Sequence, residues 1–157
     1  MNDTNTANAY LKTKVMTASP EELRMMLLDG AVRFAHMAKV GMETKDYEKI
    51  YEGFKSSREI VLELINTINP DPDPKLAETV RGLYVFIFGE LAKASLNKDM
   101  ERLDKAIELL EYEQETWSKL LVQLAEDRQA GIEHSQAAAP DRSGDQPTGL
   151  SSLSIQA

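Results

Sequence analysis

Two histidines, His36 and His134, are the only imidazoles in this 157-residue chain, and there is no cysteine. The chain therefore has no thiol nucleophile, no disulfide and no cysteine-held zinc or iron–sulfur centre. A helical bundle of this size has room for a di-iron carboxylate centre, but such a centre needs inward Glu residues and a Glu-x-x-His pair on each of two helices. Position 33 is Arg33 and position 131 is Gly131, so neither histidine has the required carboxylate. His36, beside Phe34 and Met37, reads instead as a partly exposed or hydrogen-bonded side chain. Hydrolase triads need a histidine close to a nucleophile, and phosphate-binding loops need clustered glycines ahead of a helix. Here Gly30, Gly41, Gly53, Gly82 and Gly89 are scattered through segments that read as helix. The expectation is a protein that is not an enzyme and holds no cofactor or metal.

Those glycines still carry information, because each costs up to about 1 kcal/mol against alanine in a helix interior. Gly30 reads as a site of close helix packing. Gly41, Gly53, Gly82 and Gly89 read as tolerated surface positions, with Gly82 and Gly89 alternatively a way of flattening a face for another chain. Between them stands Leu83-Tyr84-Val85-Phe86-Ile87-Phe88, six apolar residues in succession. In a helix such a run exceeds a full turn and cannot all face one core. Either this helix is packed on two sides, or Val85 and Phe86 belong to a groove for an amphipathic partner helix.

The elements that would position this run are legible from their punctuation. In Ser19-Pro20-Glu21-Glu22, Ser19 can cap free amides, Pro20 occupies a position where a missing N–H costs nothing, and Glu22 can complete a capping box. A helix is predicted from Pro20 to about Thr44. Asp46 caps the next, from Tyr47 to Ile68, and Pro70-Asp71-Pro72-Asp73-Pro74 forces a stop. A third runs from Pro74, capped by Asp73, to about Leu96, with Asn97 suited to a left-handed terminus. Asp99 caps a fourth that reaches about Asp127. Apolar residues recur at helical spacing: Leu23, Leu27, Ala31, Phe34 and Ala38; Ile50, Phe54, Val61, Leu64 and Ile68; Leu76, Val80, Leu83, Ile87 and Leu91; Leu103, Ile107, Leu110, Trp117, Leu121 and Leu124. Short turns between long amphipathic helices predict an all-α, antiparallel up-and-down four-helix bundle. The domain reading is a mobile, weakly helical N-terminal arm at 1–18, the bundle at 19–127 and a disordered tail at 128–157, where Ala, Ser, Gly, Pro, Gln and Asp prevail.

The net charge of −8 and the absence of a basic, aromatic-rich patch argue against nucleic acid as a partner. No apolar run is long enough to span a membrane, and the first residues lack a signal-peptide pattern, so the cytoplasm is the expected location.

Ala9-Tyr10, then Val15-Met16-Thr17-Ala18-Ser19-Pro20-Glu21-Glu22-Leu23, then Met26-Leu27-Leu28-Asp29-Gly30-Ala31-Val32-Arg33-Phe34 resemble the opening of the flagellin-specific export chaperones, the FliS family. Leu83-Tyr84, Leu91 with Ala94, Lys98-Asp99, Leu109-Leu110 and Thr116-Trp117 are similar to its later landmarks, so the resemblance covers about residues 7 to 124. Two departures stand out: Val85 and Phe88-Gly89 occupy positions often acidic or basic in the family, and Glu113-Gln114-Glu115 lacks the usual arginine. The resemblance implies a cytoplasmic chaperone that binds the disordered C-terminal segment of flagellin, prevents premature polymerisation and docks on the cytoplasmic domain of the flagellar export gate through the arm around Tyr10. A homodimer is a further possibility. Together the run and the resemblance mark Tyr10, Val15, Met16, Leu28, Val32, Tyr84, Val85, Phe86 and Phe88 as partner-binding candidates. The competing reading is a generic helical adaptor or regulator with a different helical partner.

Overall fold

A computed structural model of the chain describes residues 2–138, with five helices and no strand among them. These are α1 (Asn2–Thr17), α2 (Pro20–Thr44), α3 (Tyr47–Asn66), α4 (Pro74–Asn97) and α5 (Met100–Ala137). The chain divides into two compact units, Met1–Val122 and Gln123–Ala157, with α5 contributing to both.

The expected start signals operate as read. Ser19 accepts from the amide of Glu22 at 3.2 Å while the Glu22 carboxylate accepts from the Ser19 amide at 2.9 Å, which completes the capping box. Asp46 accepts from Lys49, Asp73 from Leu76 and Asp99 from Arg102, at 3.1 to 3.2 Å, so each helix start is satisfied by the carboxylate just before it. The ends differ in detail. The left-handed residue after α4 is Lys98 (φ 52°), not Asn97, and its counterpart after α2 is Lys45 (φ 55°). Helix α3 stops at Asn66, with Thr67 as its cap, rather than at Ile68. Helix α5 continues to Ala137 instead of ending near Asp127. Of the expected tail at 128–157, the part beyond residue 138 lies outside the described residues.

Three helix pairs run antiparallel, as their contacts show. Between α2 and α3, the buried Ser57 hydroxyl donates to the Ala31 carbonyl at 3.1 Å. Further along, a Cβ on Gly53 would collide with the backbone of Ala38 and lie 2.7 Å from the Phe34 oxygen, and one on Gly41 would lie 2.7 Å from the Ile50 nitrogen. Gly41 and Gly53 are therefore not the tolerated surface positions expected of them: glycine is required at both because backbone faces backbone there. Gly30 has a looser fit, with only the end of the Ile60 side chain at 3.1 Å. Between α2 and α5, Asp29 pairs with Gln114 at 2.7 Å, His36 with Glu111 at 2.6 Å and Lys39 with Asp104 at 2.7 Å. Between α4 and α5, the Tyr84 hydroxyl donates to Glu113 and Arg102 donates to Glu90, both at 3.0 Å.

The core is formed by Leu28, Ala31, Val32, Ala35 and Ala38 of α2, Ile50, Phe54, Val61, Leu64 and Ile65 of α3, Tyr84, Ile87, Leu91 and Ala94 of α4, and Leu103, Ala106, Ile107 and Leu110 of α5. On α2 the expected Ala31 and Ala38 are fully buried, but Leu28 and Ala35 join them in place of Leu23, Leu27 and Phe34, which are only half-buried. On α4, Tyr84 takes the central place expected of Leu83, which is half-buried. Glu90 is also buried, and both of its carboxylate oxygens accept from one Arg102 nitrogen, at 3.0 and 3.3 Å. Cutting Arg102 would therefore leave a buried charge unpaired.

Candidate functional site

Helix α4 resolves the six-residue apolar run into two faces. Tyr84 and Ile87 continue into the core with Leu91 and Ala94. At 100° per residue, Gly82, Val85, Phe86 and Gly89 share the opposite face. Val85 is 53% exposed and Phe86 47%, and a Cβ on Gly82 or Gly89 would meet nothing within 4 Å. The face is therefore apolar in the middle, smooth at both ends and uncovered within the described residues. It carries no group able to cut or transfer a bond; what it can do is bury the apolar side of another helix. Phe88, half-buried, packs against the core from the side.

A second apolar surface lies at the end of the core. A groove of about 430 Å³ opens between Pro20 and Arg24 of α2, Ile68 and Pro72 from the α3–α4 connection, Leu76 and Val80 of α4, and Trp117 of α5. Leu76 was expected in the core, but it is 59% exposed and forms a rim. The Trp117 indole N–H donates to the Glu21 carbonyl at 2.8 Å, which fixes the ring in the groove wall. The Arg24 guanidinium lies 5.4 Å from the centroids of both the Tyr84 and Trp117 rings. Burial, reinforced by the Glu113 carboxylate, pushes the Tyr84 hydroxyl up to about 12, with the Arg24 charge working the other way. The phenol therefore stays protonated and donates to Glu113 throughout the physiological range.

The nine expected partner-binding residues thus separate. Val85 and Phe86 share the open face of α4. Tyr10, Val15 and Met16 lie on α1, at 70, 42 and 76% exposure. Leu28, Val32 and Tyr84 are buried, so in this conformation they support a surface from below and do not form it. Arg24, Leu76 and Trp117 were not singled out for binding. The available signal was Arg24 itself: it falls on the spacing of Leu28, Ala31 and Ala35, where a charge on a core stripe needs a reason.

His36, half-exposed, is paired with Glu111 and belongs to the α2–α5 seam. Among the described residues no cluster of three His, Cys, Asp or Glu side chains has metal-binding geometry, and no helix is long and apolar enough to cross a membrane.

Residues 3–124 match the profile of the family described as Flagellar protein FliS. The flagellar secretion chaperone FliS of Campylobacter jejuni is 30% identical over 113 residues, covering 72% of this chain and 88% of that protein. The flagellar secretion chaperone FliS of Bacillus subtilis is 26% identical over 124 residues, covering 79% and 92%. That of Vibrio cholerae is 23% identical over 116 residues, covering 71% and 85%.

Proposed function

The chain belongs to the FliS family of flagellar secretion chaperones, and from that premise we propose that it binds the C-terminal segment of flagellin in the cytoplasm, prevents premature polymerisation and delivers it to the export gate. The observation that carries this reading is the outward face of α4, where Val85 and Phe86 stand half-exposed between two glycines at which an added Cβ would meet nothing within 4 Å. A flagellin end built to assemble presents apolar helix faces, which aggregate unless masked. A smooth apolar strip lets a partner backbone approach closely and take up helical form against it.

The antiparallel pairs α2/α3, α2/α5 and α4/α5 support closure of α2 to α5 into an up-and-down four-helix bundle as the rigid support for this strip. Helix α1, exposed from residue 3 to residue 17, supplies the arm: Tyr10, Val15 and Met16 cover part of the flagellin surface when it is empty, and Tyr10 contacts the cytoplasmic domain of the export gate. A homodimer formed through such arms is compatible with the same chemistry. The segment 128–157 is not needed for holding flagellin.

The reading is tested by following flagellin polymerisation by light scattering after seeding. An equimolar amount of this protein should suppress filament growth, and flagellin lacking its C-terminal segment should no longer be captured by it. Growth at an unchanged rate would contradict the assignment.

A further inference from the structure

In a chain of net charge −8, four cations gather along the seam between α3 and α4: Lys55 and Arg58 of α3, Arg81 of α4 and Lys98 just after it. None of them forms an ion pair among the described residues. The Lys98 ammonium stands 5.6 Å from the centroid of the Tyr47 ring, so the flank of α3 that carries Tyr47 is the one turned to α4. At 100° per residue Tyr51, Lys55, Arg58 and Leu62 fall within about 80° of Tyr47 on that flank. Lys55 lies 5.8 Å from the Tyr51 ring centroid, and the Arg58 Nε donates to the Phe54 carbonyl at 3.3 Å. A lysine over a ring keeps its charge and has N–H donors to spare, so it is held in place and still open to an anion. On α4, Glu90 marks the flank that meets α5, and Arg81 and Val85 fall on the other one.

The carboxylates are sorted to the margins. Glu48, Glu52, Glu59 and Glu63 of α3 lie about 100° to 160° round from Tyr47, on the side away from α4, and Glu78 of α4 stands towards its Pro74 end. They repel an acidic chain from the crown of α3 and leave the seam open to it. The seam also joins the apolar strip. Tyr47 to Leu62 climbs about 22 Å and Lys98 back to Val85 about 20 Å, so the exposed Leu62 and Val85 stand nearly level on the two walls. We infer that the α3–α4 seam takes the acidic edge of the helix whose apolar side lies on the α4 strip, with Lys55, Arg58, Arg81 and Lys98 facing its carboxylates. This rests on the reading of the partner as the C-terminal segment of flagellin. Apolar contact alone leaves a helix free to roll and slide; a row of cations on one side fixes its rotation and register.

The test is calorimetric titration of the full chain with two synthetic versions of the flagellin C-terminal segment, one natural in sequence and one with every Asp and Glu replaced by Asn and Gln. The neutralised segment should bind the natural protein about tenfold more weakly, a change of about 1.4 kcal/mol. Raising the salt from about 0.1 to about 1 M, which shortens the screening length from about 10 to about 3 Å, should remove most of that difference. Lys55→Glu should weaken the natural segment about tenfold and leave the neutralised one within about twofold. Lys119→Glu, an equal change in net charge on α5, should leave both within about twofold. Equal binding of the two segments to the natural protein would overturn the inference while leaving flagellin binding intact, and so would equal losses in Lys55→Glu and Lys119→Glu. Binding of neither segment would overturn the flagellin reading and the inference with it. The comparison of the two segments on the natural protein stands even if a variant does not fold.

Discussion

The indole N–H of Trp117 donates to the main-chain oxygen of Glu21 at 2.8 Å, which ties α5 to the first turn of α2. A side chain late in the chain thus holds the start of the helix that carries Arg24. Trp117→Phe keeps an aromatic ring beside Arg24 but removes the donor and part of the groove wall. It should cost about 1 to 3 kcal/mol. Urea denaturation checks this, with a lowered midpoint at unchanged slope as the expected result.

Tyr84 gives the fold a specific sensitivity to alkali. Its hydroxyl is raised from 10.0 to about 12, mainly by burial and then by Glu113, so the folded state holds this proton more tightly than the unfolded chain does. The associated stability is complete below pH 10 and is lost as the pH climbs towards 12. A shift of this size corresponds to about 3 kcal/mol at most. Tyr84→Phe should start lower, through loss of the bond to Glu113, and the two stability curves should converge over that interval. Parallel curves would show that the phenol titrates normally.

Gly53 and Gly82 should respond to alanine in opposite directions. At Gly53 the new Cβ would run into the Ala38 backbone, and neither backbone can yield cheaply. Gly53→Ala should therefore cost about 2 to 3 kcal/mol or more. At Gly82 the Cβ meets nothing within 4 Å. Gly82→Ala should stabilise by about 0.5 to 1 kcal/mol through helix propensity alone. If the strip receives a partner closely, the same variant binds flagellin more weakly while melting higher. Thermal melts and a binding titration on the two variants separate the roles.

This contrast also shows what could be read from the sequence. Ser19, Asp46, Asp73 and Asp99 announced the helix starts, because a cap acts within a few residues of itself. The opening block around Ser19-Pro20-Glu21-Glu22 likewise pointed to the family that the comparisons bear out. Gly53 and Gly82 look alike in sequence, since what distinguishes them is the backbone of another helix. The exchange of Leu83 for Tyr84 in the core has a similar cause: Tyr84 finds a partner for its hydroxyl in Glu113, twenty-nine positions away, and can be buried because of it. The groove was not legible because its wall is assembled from three separate stretches of chain. The continuation of α5 past Asp127 was missed because Ala, Gln and Glu favour helix almost as readily as they favour a solvated tail.

The account rests most heavily on Phe86, which points away from the core stripe and is 47% exposed. Calorimetric titration of the flagellin C-terminal segment into the natural protein and into Phe86→Ser measures its role directly, alongside a thermal melt of each. The expected result is a melting temperature changed little and an affinity reduced at least about tenfold, a loss of about 1.4 kcal/mol. An unchanged affinity in the folded variant would contradict the assignment of the α4 strip as the flagellin surface.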